Sequence, residues 1–283
     1  MTDFGVLMFP TDYAIQPIPL AKAAEERGFE SLWFPEHTHI PASRRSPWPG
    51  GADLPKEYWH THDPFVALSA AAAVTTRLKL ATGICLVVER DPIQLAKEVA
   101  SLDVISGGRV LLGIGGGWNA EEMENHGVPF QKRWKIVREK VLAMRAIWTQ
   151  ENAAFHGEFV RFDPIWSWPK PVQKGGPKVI LGADSKWAPE RVAEYCDGWM
   201  PIAVRNPEKL GEGVEALRRA CAARGRDFGS LDLSVFGVPP RDEPVEKLIG
   251  LGFHRVVFSL PAAPAEEVLP LLDRCAEVAR KNA

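Results

Sequence analysis

Short apolar runs alternate with longer amphipathic stretches along the chain, and this alternation constrains the fold more than any other feature of the sequence. The pattern is typical of β/α units, in which buried parallel strands are joined by helices that pack on the sheet. Eight runs are predicted to be strands: Phe4–Phe9, Ser31–Phe34, Leu78–Gly83, Val110–Ile114, Lys178–Leu181, Gly198–Pro201, Leu231–Val235 and Val256–Ser259. Eight such units in 283 residues predict a (β/α)8 TIM barrel that occupies residues 1–283 as one domain. An open, doubly wound sheet stays an alternative, because periodicity does not show whether a sheet closes.

Helix signals fill the stretches between these strands. Pro17 and Pro19 suit the first turn of a helix that ends at Gly28, where glycine is a common C-terminal cap. The remaining helices are predicted at residues 64–75, 92–105, 132–150, 187–195, 208–224, 242–250 and 264–281. Two segments, Glu36–Asp63 and Phe155–Gly176, are longer than ordinary β/α loops and are predicted to be insertions that form most of a pocket wall.

The composition restricts the partners. A net charge of -2, without clustered Lys and Arg, argues against nucleic acid or an acidic membrane surface as a partner. The chain has no apolar run of about 20 residues and no cationic leader, which predicts a cytoplasmic protein that acts on a small molecule. The four cysteines lack metal-ligand spacing, so we predict neither disulfides nor a zinc site. His60, His62 and Asp63 form a weak metal-site alternative.

Two glycine-containing turns are candidate ligand sites. Gly115, Gly116 and Gly117, followed by Trp118, come directly after the fourth predicted strand. Glycines there let a flat ligand approach the backbone, although a tight turn that only packs closely explains them equally well. The segment Gly182, Ala183, Asp184 and Ser185 joins the fifth strand to a helix, where free N–H groups favour a phosphate. Asp184 or Ser185 acting as a plain helix cap is the alternative.

His37 is the candidate for proton transfer. It follows the second predicted strand, and the C-terminal strand ends carry the active site in β/α barrels. A histidine exchanges protons near neutral pH, and the neighbouring Glu36 is the carboxylate expected to assist it. His39, two residues further on, is expected to point differently if the chain is extended there. A solvated or structural role is the alternative for both histidines.

Three stretches, in this order, resemble the luciferase-like monooxygenase superfamily. They are WFPEH, LATGICLVVERDPIQLAKEVASLDVISGGRVLLGIGGGW and LGADS followed by AEYCDGW. The second stretch is the most specific, and the chain is most similar to the branch of short oxidoreductases that depend on the deazaflavin coenzyme F420. The resemblance covers about residues 4–258 and implies a TIM barrel, a bound F420 or FMN, and a homodimer.

The resemblance also implies roles for particular residues. A bulge at Gly83–Ile84, often with a non-prolyl cis peptide, would back the flavin ring together with Cys85. Gly115 to Trp118 would border the ring, Gly182 to Ser185 would hold the phosphate, and His37 would lie over the reactive carbon. Hydride transfer between F420 and a small organic substrate is the expected function. An FMN-dependent monooxygenase that uses oxygen and a non-catalytic flavin-binding barrel are the two alternatives.

Overall fold

The computed structural model describes residues 2–51, 53–203 and 207–283. Its strands are Asp3–Leu7 (β1), Ser31–Phe34 (β2), Lys79–Cys85 (β3), Val110–Ile114 (β4), Ala153–His156 (β5), Arg161–Ile165 (β6), Lys178–Leu181 (β7), Gly198–Trp199 (β8), Asp232–Val238 (β9) and Arg255–Ser259 (β10). All of them except β5 and β6 close into one parallel barrel, in the order β1-β10-β9-β8-β7-β4-β3-β2. Because β1 pairs with both β2 and β10, the TIM-barrel prediction is confirmed and the doubly wound alternative is wrong.

Eight of the described helices follow the predicted pattern, and two short ones, Glu57–His60 and Ala120–Asn125, were not predicted. The described helices are Pro17–Glu26 (α1), Glu57–His60 (α2), Pro64–Ala72 (α3), Pro92–Ser106 (α4), Ala120–Asn125 (α5), Arg133–Thr149 (α6), Ala188–Tyr195 (α7), Leu210–Ala223 (α8), Asp242–Gly250 (α9) and Ala265–Asn282 (α10). Asp63 and Asp91 each precede a proline and accept two backbone N–H groups, which starts α3 and α4. Among the helices of the described residues, none has both the length and the apolar character needed to cross a membrane.

Four predicted strand ends were wrong, and one of them is that of the seventh predicted strand, which runs to Val238 and not to Val235. The first strand stops at Leu7, before Pro10, and the sixth stops at Trp199, before Pro201. Proline has no N–H and cannot continue a strand ladder, so its position sets a limit on each strand. The third strand does not end at Gly83 but resumes beyond it, since Cys85 pairs with Ile114 of β4.

The barrel interior is filled by side chains that point inward from the strands. They form a cluster of their own: Leu7, Trp33, Ala81, Leu111, Ile180, Met200 and Val257. Trp33 is fully buried and donates its indole N–H to Ser31 Oγ at 2.8 Å. A Cβ atom at Gly113 would lie 3.3 Å from the Trp33 indole, and one at Gly83 would lie 3.1 Å from Trp33 Cβ, so glycine on two other strands makes room for the Trp33 side chain. A packed interior leaves the C-terminal strand ends as the place for a ligand.

Ion pairs close the opposite, N-terminal end of the barrel. Arg255 donates to Asp232 at 2.5 Å and to Glu30 at 3.0 Å, and the Arg255 and Asp232 side chains are almost completely buried. Lys79 and Lys178, the lysines that begin β3 and β7, contact Glu30 and Asp232 at 2.5 Å and 3.6 Å. Both lysines are therefore part of the stabilising end of the barrel and lie away from the chemistry.

The second insertion contains an antiparallel hairpin of β5 and β6, whereas the sequence predicts only a long insertion there. Glu139 of α6 holds the tip of this hairpin, because its carboxylate accepts the backbone N–H groups of Glu158, Phe159 and Val160 at 2.7–3.0 Å. The hairpin tip is thereby anchored to an outer helix of the barrel.

Candidate active site

A cleft of about 420 Å³ opens at the C-terminal ends of the barrel strands. Its lining includes eleven of the twelve residues singled out in the sequence: His37, Gly83, Ile84, Gly115, Gly116, Gly117, Trp118, Gly182, Ala183, Asp184 and Ser185. Such a volume is within the usual range of small-molecule sites. The fold therefore brings into one cavity residues that are up to 148 positions apart in the chain, from His37 to Ser185.

Cys85 is the exception among the candidate residues. Its side chain is fully buried and packs in the core between barrel and helices, so it does not line the cleft. Burial, and secondarily the charge of Glu36, raises the pKa of the Cys85 thiol well above its usual value. Ala81 of the same strand points into the barrel, so regular alternation would turn Cys85 inward too; the bulge at Gly83–Ile84 reverses the alternation, so that Ile84 reaches the cleft and Cys85 faces outward.

The floor of the cleft is the bulge in β3. The Gly83–Ile84 peptide is cis, and the pairing of β3 with β4 shifts register between Thr82 and Cys85, so the predicted bulge is confirmed. The Ile84 side chain packs where two loops carry glycine: a Cβ at Gly115 or at Gly182 would lie 2.6 Å from an Ile84 carbon. These glycines leave a smooth apolar floor, which suits a flat ring.

His37 lies on the wall of this cleft and is held by a carboxylate from another β/α unit. Its Nδ1 atom is 2.7 Å from Glu122 Oε2, and the two side chains are only 7% and 1% exposed. Glu122 also accepts the backbone N–H of Thr38 at 3.2 Å. Since Nδ1 is engaged, Nε2 is the ring nitrogen left to exchange a proton with a bound molecule. The expectation that Glu36 assists His37 was wrong.

Aromatic rings enclose the His37 imidazole. The Tyr58 ring centroid lies 5.2 Å from that of His37, and the Trp118 centroid lies 5.8 Å away. Phe9 packs against Tyr58 at 4.7 Å between centroids, and all these rings line the cleft. The apolar rings restrict water around the imidazole and leave its position fixed by the contact with Glu122.

Glu36 instead fastens the base of the first insertion. Its carboxylate accepts the Leu86 backbone N–H at 2.6 Å and the Arg90 Nε–H at 2.6 Å. Arg90 also pairs with Asp63 and, at 2.9 Å, with Glu98. Glu36 and Asp63 are the first and last residues of the insertion, so one guanidinium clamps both of its ends.

We call the first insertion, residues 36–63, the lid. The middle of the lid is bound to α5 by hydrogen bonds. Glu121 accepts the Ser46 backbone N–H at 2.8 Å and the Ser46 hydroxyl, while Ser46 Oγ accepts the Ala120 N–H at 3.0 Å. Burial acts to raise the pKa of Glu121, but the hydrogen bonds from Ser46 outweigh it and lower that pKa to about 2. Glu121 thus holds the lid, and its neighbour Glu122 holds His37, the candidate proton-transfer residue.

The pocket wall differs from the prediction in one large respect. The lid contributes Glu36, His37, Pro49 and Tyr58, whereas no described residue of 155–176 lines the cleft. Residues 155–176 follow α6, and Glu139 of that helix accepts backbone N–H groups from the tip of their hairpin. This contact holds the hairpin on α6. Trp166 and Trp168 are exposed on it, at 80% and 60% of their surface.

The other histidines of the lid lie apart from one another. His39 contacts Thr38 at 2.9 Å and Asn125 at 2.8 Å, on the partly exposed side of the lid. His60 contacts Asp12 at 2.9 Å, while Asp63 caps α3 and binds Arg90. Within the described residues no group of three metal-binding side chains occurs, so the weak metal-site alternative finds no support there.

The turn after β7, Gly182 to Ser185, lines the cleft, and some of its polar groups are engaged within the protein. The Gly182 N–H donates to Ile114 O at 2.8 Å and is used in the barrel, so it does not face an anion. Asp184 Oδ1 accepts the Ile202 N–H at 3.0 Å, and Ser185 Oγ lies 3.2 Å from Arg191 Nη1. The helix begins after Trp187, so the predicted cap by Asp184 or Ser185 was wrong.

Glu122, Tyr58, Arg133 and Trp134 contribute to the site but were missed in the sequence. Glu122 carried one local signal, since acidic residues favour the first turn of a helix and α5 follows the glycine loop directly. That signal predicts a helix start and not a contact with a histidine 85 positions away.

A closed β/α barrel with a glycine-lined cleft at the C-terminal ends of its strands defines a TIM-barrel protein with a cavity at the end where this fold binds ligands. The family model for luciferase-like monooxygenases matches residues 16–246. The chain therefore belongs to the luciferase-like monooxygenase family, a family of oxidoreductases, as the sequence resemblance implied.

Two relatives show how broad the family is. An uncharacterised protein of Mycobacterium tuberculosis is 42% identical over 276 residues, which cover 96% of this chain and 97% of that protein. An FMNH2-dependent dimethylsulfone monooxygenase of Pseudomonas putida is 30% identical over 209 residues, which cover 73% of this chain and 53% of the enzyme.

Solved structures share the fold at low sequence identity. A monooxygenase of Streptomyces bottropensis superposes with a TM-score of 0.81 at 23% identity, and 99% of each chain is covered. An F420-dependent secondary alcohol dehydrogenase, in complex with an F420-acetone adduct, superposes with a TM-score of 0.79 at 17% identity over 98% of each chain. At these identities the likeness concerns the fold alone.

Proposed function

We propose that this protein is an oxidoreductase that transfers a hydride between coenzyme F420 and a small organic substrate. The observation that carries the proposal is the His37–Glu122 pair, 2.7 Å apart and buried in the wall of the cleft beside the Gly83–Ile84 bulge. Converting an alcohol into a carbonyl compound, or the reverse, moves one proton with each hydride. A held imidazole beside a ring site supplies the group that this proton requires.

The residues of the cleft fit a tricyclic ring. Ile84 offers an apolar surface. A Cβ at Gly116 would lie 2.7 Å from the Trp134 ring, so only glycine fits at this position of the loop after β4. Gly115 and Gly182 likewise have no room for a side chain, because the Ile84 side chain packs directly against them. Ile84 and these glycines would hold a planar ligand in the same cleft that His37 lines.

The cofactor and the side chains of the cleft would have different roles in the reaction. A bound deazaflavin would supply the carbon that gives or takes the hydride, because no side chain provides that chemistry. His37 Nε2 would accept the proton of a substrate hydroxyl during oxidation, or donate a proton to a carbonyl oxygen during reduction. Glu122 would hold the proton on Nδ1 and stabilise the imidazolium when it forms. Tyr58 and Trp118 would keep water from the reacting atoms.

The second candidate is an FMN-dependent monooxygenase that uses oxygen. The 30% identity to the dimethylsulfone monooxygenase favours it, since that enzyme uses reduced FMN. The ring site would serve either cofactor, so the choice depends on which one the protein binds and turns over.

A side-by-side titration of the apoprotein with F420 and FMN, followed by turnover on a panel of alcohols and carbonyl compounds, tests the proposal. We expect tighter binding of F420 and a change in its visible absorbance with at least one substrate. Tight binding of FMN alone would instead support the monooxygenase. Binding of either cofactor without any turnover would favour a non-catalytic flavin-binding barrel.

A further inference from the structure

A second cavity, of about 370 Å³, lies next to the cleft on the other side of the turn that follows β3. This turn is Val87–Glu89: Leu86, just before it, lines the cleft, whereas Val88 and Glu89 line the second cavity. The start of α4, the middle of α6 and the hairpin of β5 and β6 form the rest of its wall. Because the exposed Arg161 is part of that wall, the second cavity opens to solvent.

Glu89 is the buried charged residue of this cavity that has no partner. Its side chain is 1% exposed, and neither carboxylate oxygen has a hydrogen-bond partner within the described residues. His126 Nε2 lies 3.8 Å from Oε2, which is beyond hydrogen-bond distance. Lys140 donates to the carbonyl oxygens of Val88 and Arg90, at 2.8 Å and 2.6 Å, and not to Glu89. A buried polar group without a partner is costly, so its presence calls for a function.

Glu89 interacts electrostatically with the carboxylate that holds His37. Burial is the main reason why the pKa of Glu89 rises to about 9, and the charge of Glu122 is the next. Two carboxyl groups in such a place do not both ionise, so Glu89 keeps its proton while Glu122 stays charged beside His37. Thr38 links the same groups: its N–H donates to Glu122 Oε1 at 3.2 Å, and its hydroxyl lies 2.8 Å from His126 Nε2. The series His37, Glu122, Glu89 and His126 thus runs from the cleft to the second cavity.

We propose that Glu89 is a proton-relay residue that connects His37 to the second cavity through Glu122. During oxidation of an alcohol, His37 Nε2 takes the hydroxyl proton, and the imidazolium gives its Nδ1 proton to Glu122. Glu89 releases its own proton to the second cavity and takes the one from Glu122. One proton then leaves the protein for each hydride transferred, and every side chain returns to its starting state. Reduction of a carbonyl compound uses the same route in the opposite direction.

The enclosed position of His37 is the reason for a separate route, and this argument rests on the proposed function. The His37 side chain is 7% exposed, and Tyr58 and Trp118 pack around its ring. A cofactor and a substrate in the cleft would cover the face that remains. A proton taken by Nε2 then has to reach water through the protein, because an imidazole that is not reset stops the reaction after one turnover.

Proton exchange at His37 tests the relay without a cofactor. In the whole protein with ¹⁵N-labelled histidine, NMR saturation transfer measures how fast the Nδ1–H, which faces Glu122, exchanges with water, and His37→Ala assigns the signal. We expect Glu89→Gln to slow this exchange at least about 10-fold, less than the hundredfold or more that a general acid or base itself contributes. Glu89→Asp keeps a carboxyl group and should fall between the two. Glu124→Gln, at an exposed side chain of α5, is the control and should exchange at the wild-type rate.

Turnover with an accepted substrate gives a second readout, which a purely structural role of Glu89 would not produce. We expect kcat to fall at least about 10-fold in Glu89→Gln and in Glu89→Ala, with the F420 dissociation constant unchanged. Acetate should restore the rate of Glu89→Ala, because the shortened side chain leaves room for a small carboxylic acid. It should not restore Glu89→Gln, whose side chain fills the same space, and it should not affect the wild type.

The two readouts separate the relay from the proposed function. If the wild-type protein turns over no substrate with F420, the proposed function fails, and the exchange measurement alone decides on the relay. Wild-type exchange of the Nδ1–H in Glu89→Gln would overturn the relay. A loss of turnover in Glu89→Ala that acetate does not restore would also overturn it.

Discussion

His37 and Glu122 come from different β/α units and meet at 2.7 Å, with His37 Nδ1 facing Glu122 Oε2 and both side chains buried. The contact leaves one nitrogen of the imidazole directed at the cleft and fixes the ring between Tyr58 and Trp118. A loop histidine that would otherwise sample several rotamers becomes a group with a defined orientation. Orientation of this kind is a large part of what a protein contributes to proton transfer.

Glu122→Gln tests whether that orientation matters. The substitution keeps the length of the side chain and one acceptor but removes the charge, so we expect turnover to fall by up to about 100-fold through a misplaced imidazole. The dissociation constant of the cofactor should stay nearly unchanged. The measurements are kcat over a range of pH and a cofactor titration, and the pH profile of kcat should change shape.

Glu124→Gln is the control for this prediction. Glu124 is on the same short helix, but its side chain is 54% exposed and pairs with the exposed Arg45. This variant should keep the wild-type rate and pH profile. If Glu122→Gln behaves like Glu124→Gln, the carboxylate has no part in positioning His37.

Arg90 is expected to stabilise the protein through the lid. Arg90→Gln leaves the buried carboxylate of Glu36 without its cation, and the loss of one partner from a buried pair costs about 3–5 kcal/mol of the free energy of unfolding. Arg45→Gln removes an exposed pair and should cost less than about 1 kcal/mol. Urea unfolding monitored by circular dichroism measures both values. Equal and small effects of the two substitutions would show that the clamp contributes nothing to stability.

Glu89 predicts a dependence of stability on pH. Its side chain is 1% exposed, and neither carboxylate oxygen has a hydrogen-bond partner within the described residues. Burial, and then the charges of Glu122 and Glu36, raise the pKa of Glu89 to about 9. The folded protein therefore holds a proton that the unfolded chain releases near pH 4.3, so this contribution to stability is complete below about pH 4 and falls as pH rises toward 9.

Glu89→Gln removes that dependence because glutamine does not titrate. We expect the variant to exceed the wild type in free energy of unfolding by at least about 1 kcal/mol at pH 8, with a smaller difference at pH 4.5. Urea unfolding at the two pH values provides the comparison, and Glu158→Gln, at a side chain that is 60% exposed, should show no such trend. A difference between Glu89→Gln and wild type that is the same at both pH values would contradict the account.

Most of the barrel and the outline of the cleft could be predicted from the sequence because their signals are local. Strands and helices follow from periodicity, and the C-terminal strand ends are where this fold places ligands. The partner of His37 could not be predicted, since Glu36 is adjacent in sequence and Glu122 is brought in only by the curvature of the barrel. Glu36 is occupied by Arg90, 54 positions away.

Two other errors have related causes. Cys85 was expected at the ring because it follows the bulge, but the bulge itself shifts the alternation of the strand and turns the Cys85 side chain into the core. The segment 155–176 was assigned to the pocket wall by its length alone, while the contact of its hairpin with Glu139 is set by tertiary packing.

The turnover of His37→Ala tests the central claim most directly. The assay uses an accepted substrate and follows the reduction of F420 by its visible absorbance. A general acid or base contributes about a hundredfold to ten-thousandfold in rate, so kcat should fall within that range. The F420 dissociation constant should change little, because cofactor binding depends on the ring floor and on contacts to the side chain. His39→Ala should retain most of the rate, because His39 contacts Thr38 and Asn125 on the partly exposed side of the lid. Full activity in His37→Ala, or loss of activity in His39→Ala alone, would contradict the assignment of His37 as the proton-transfer residue.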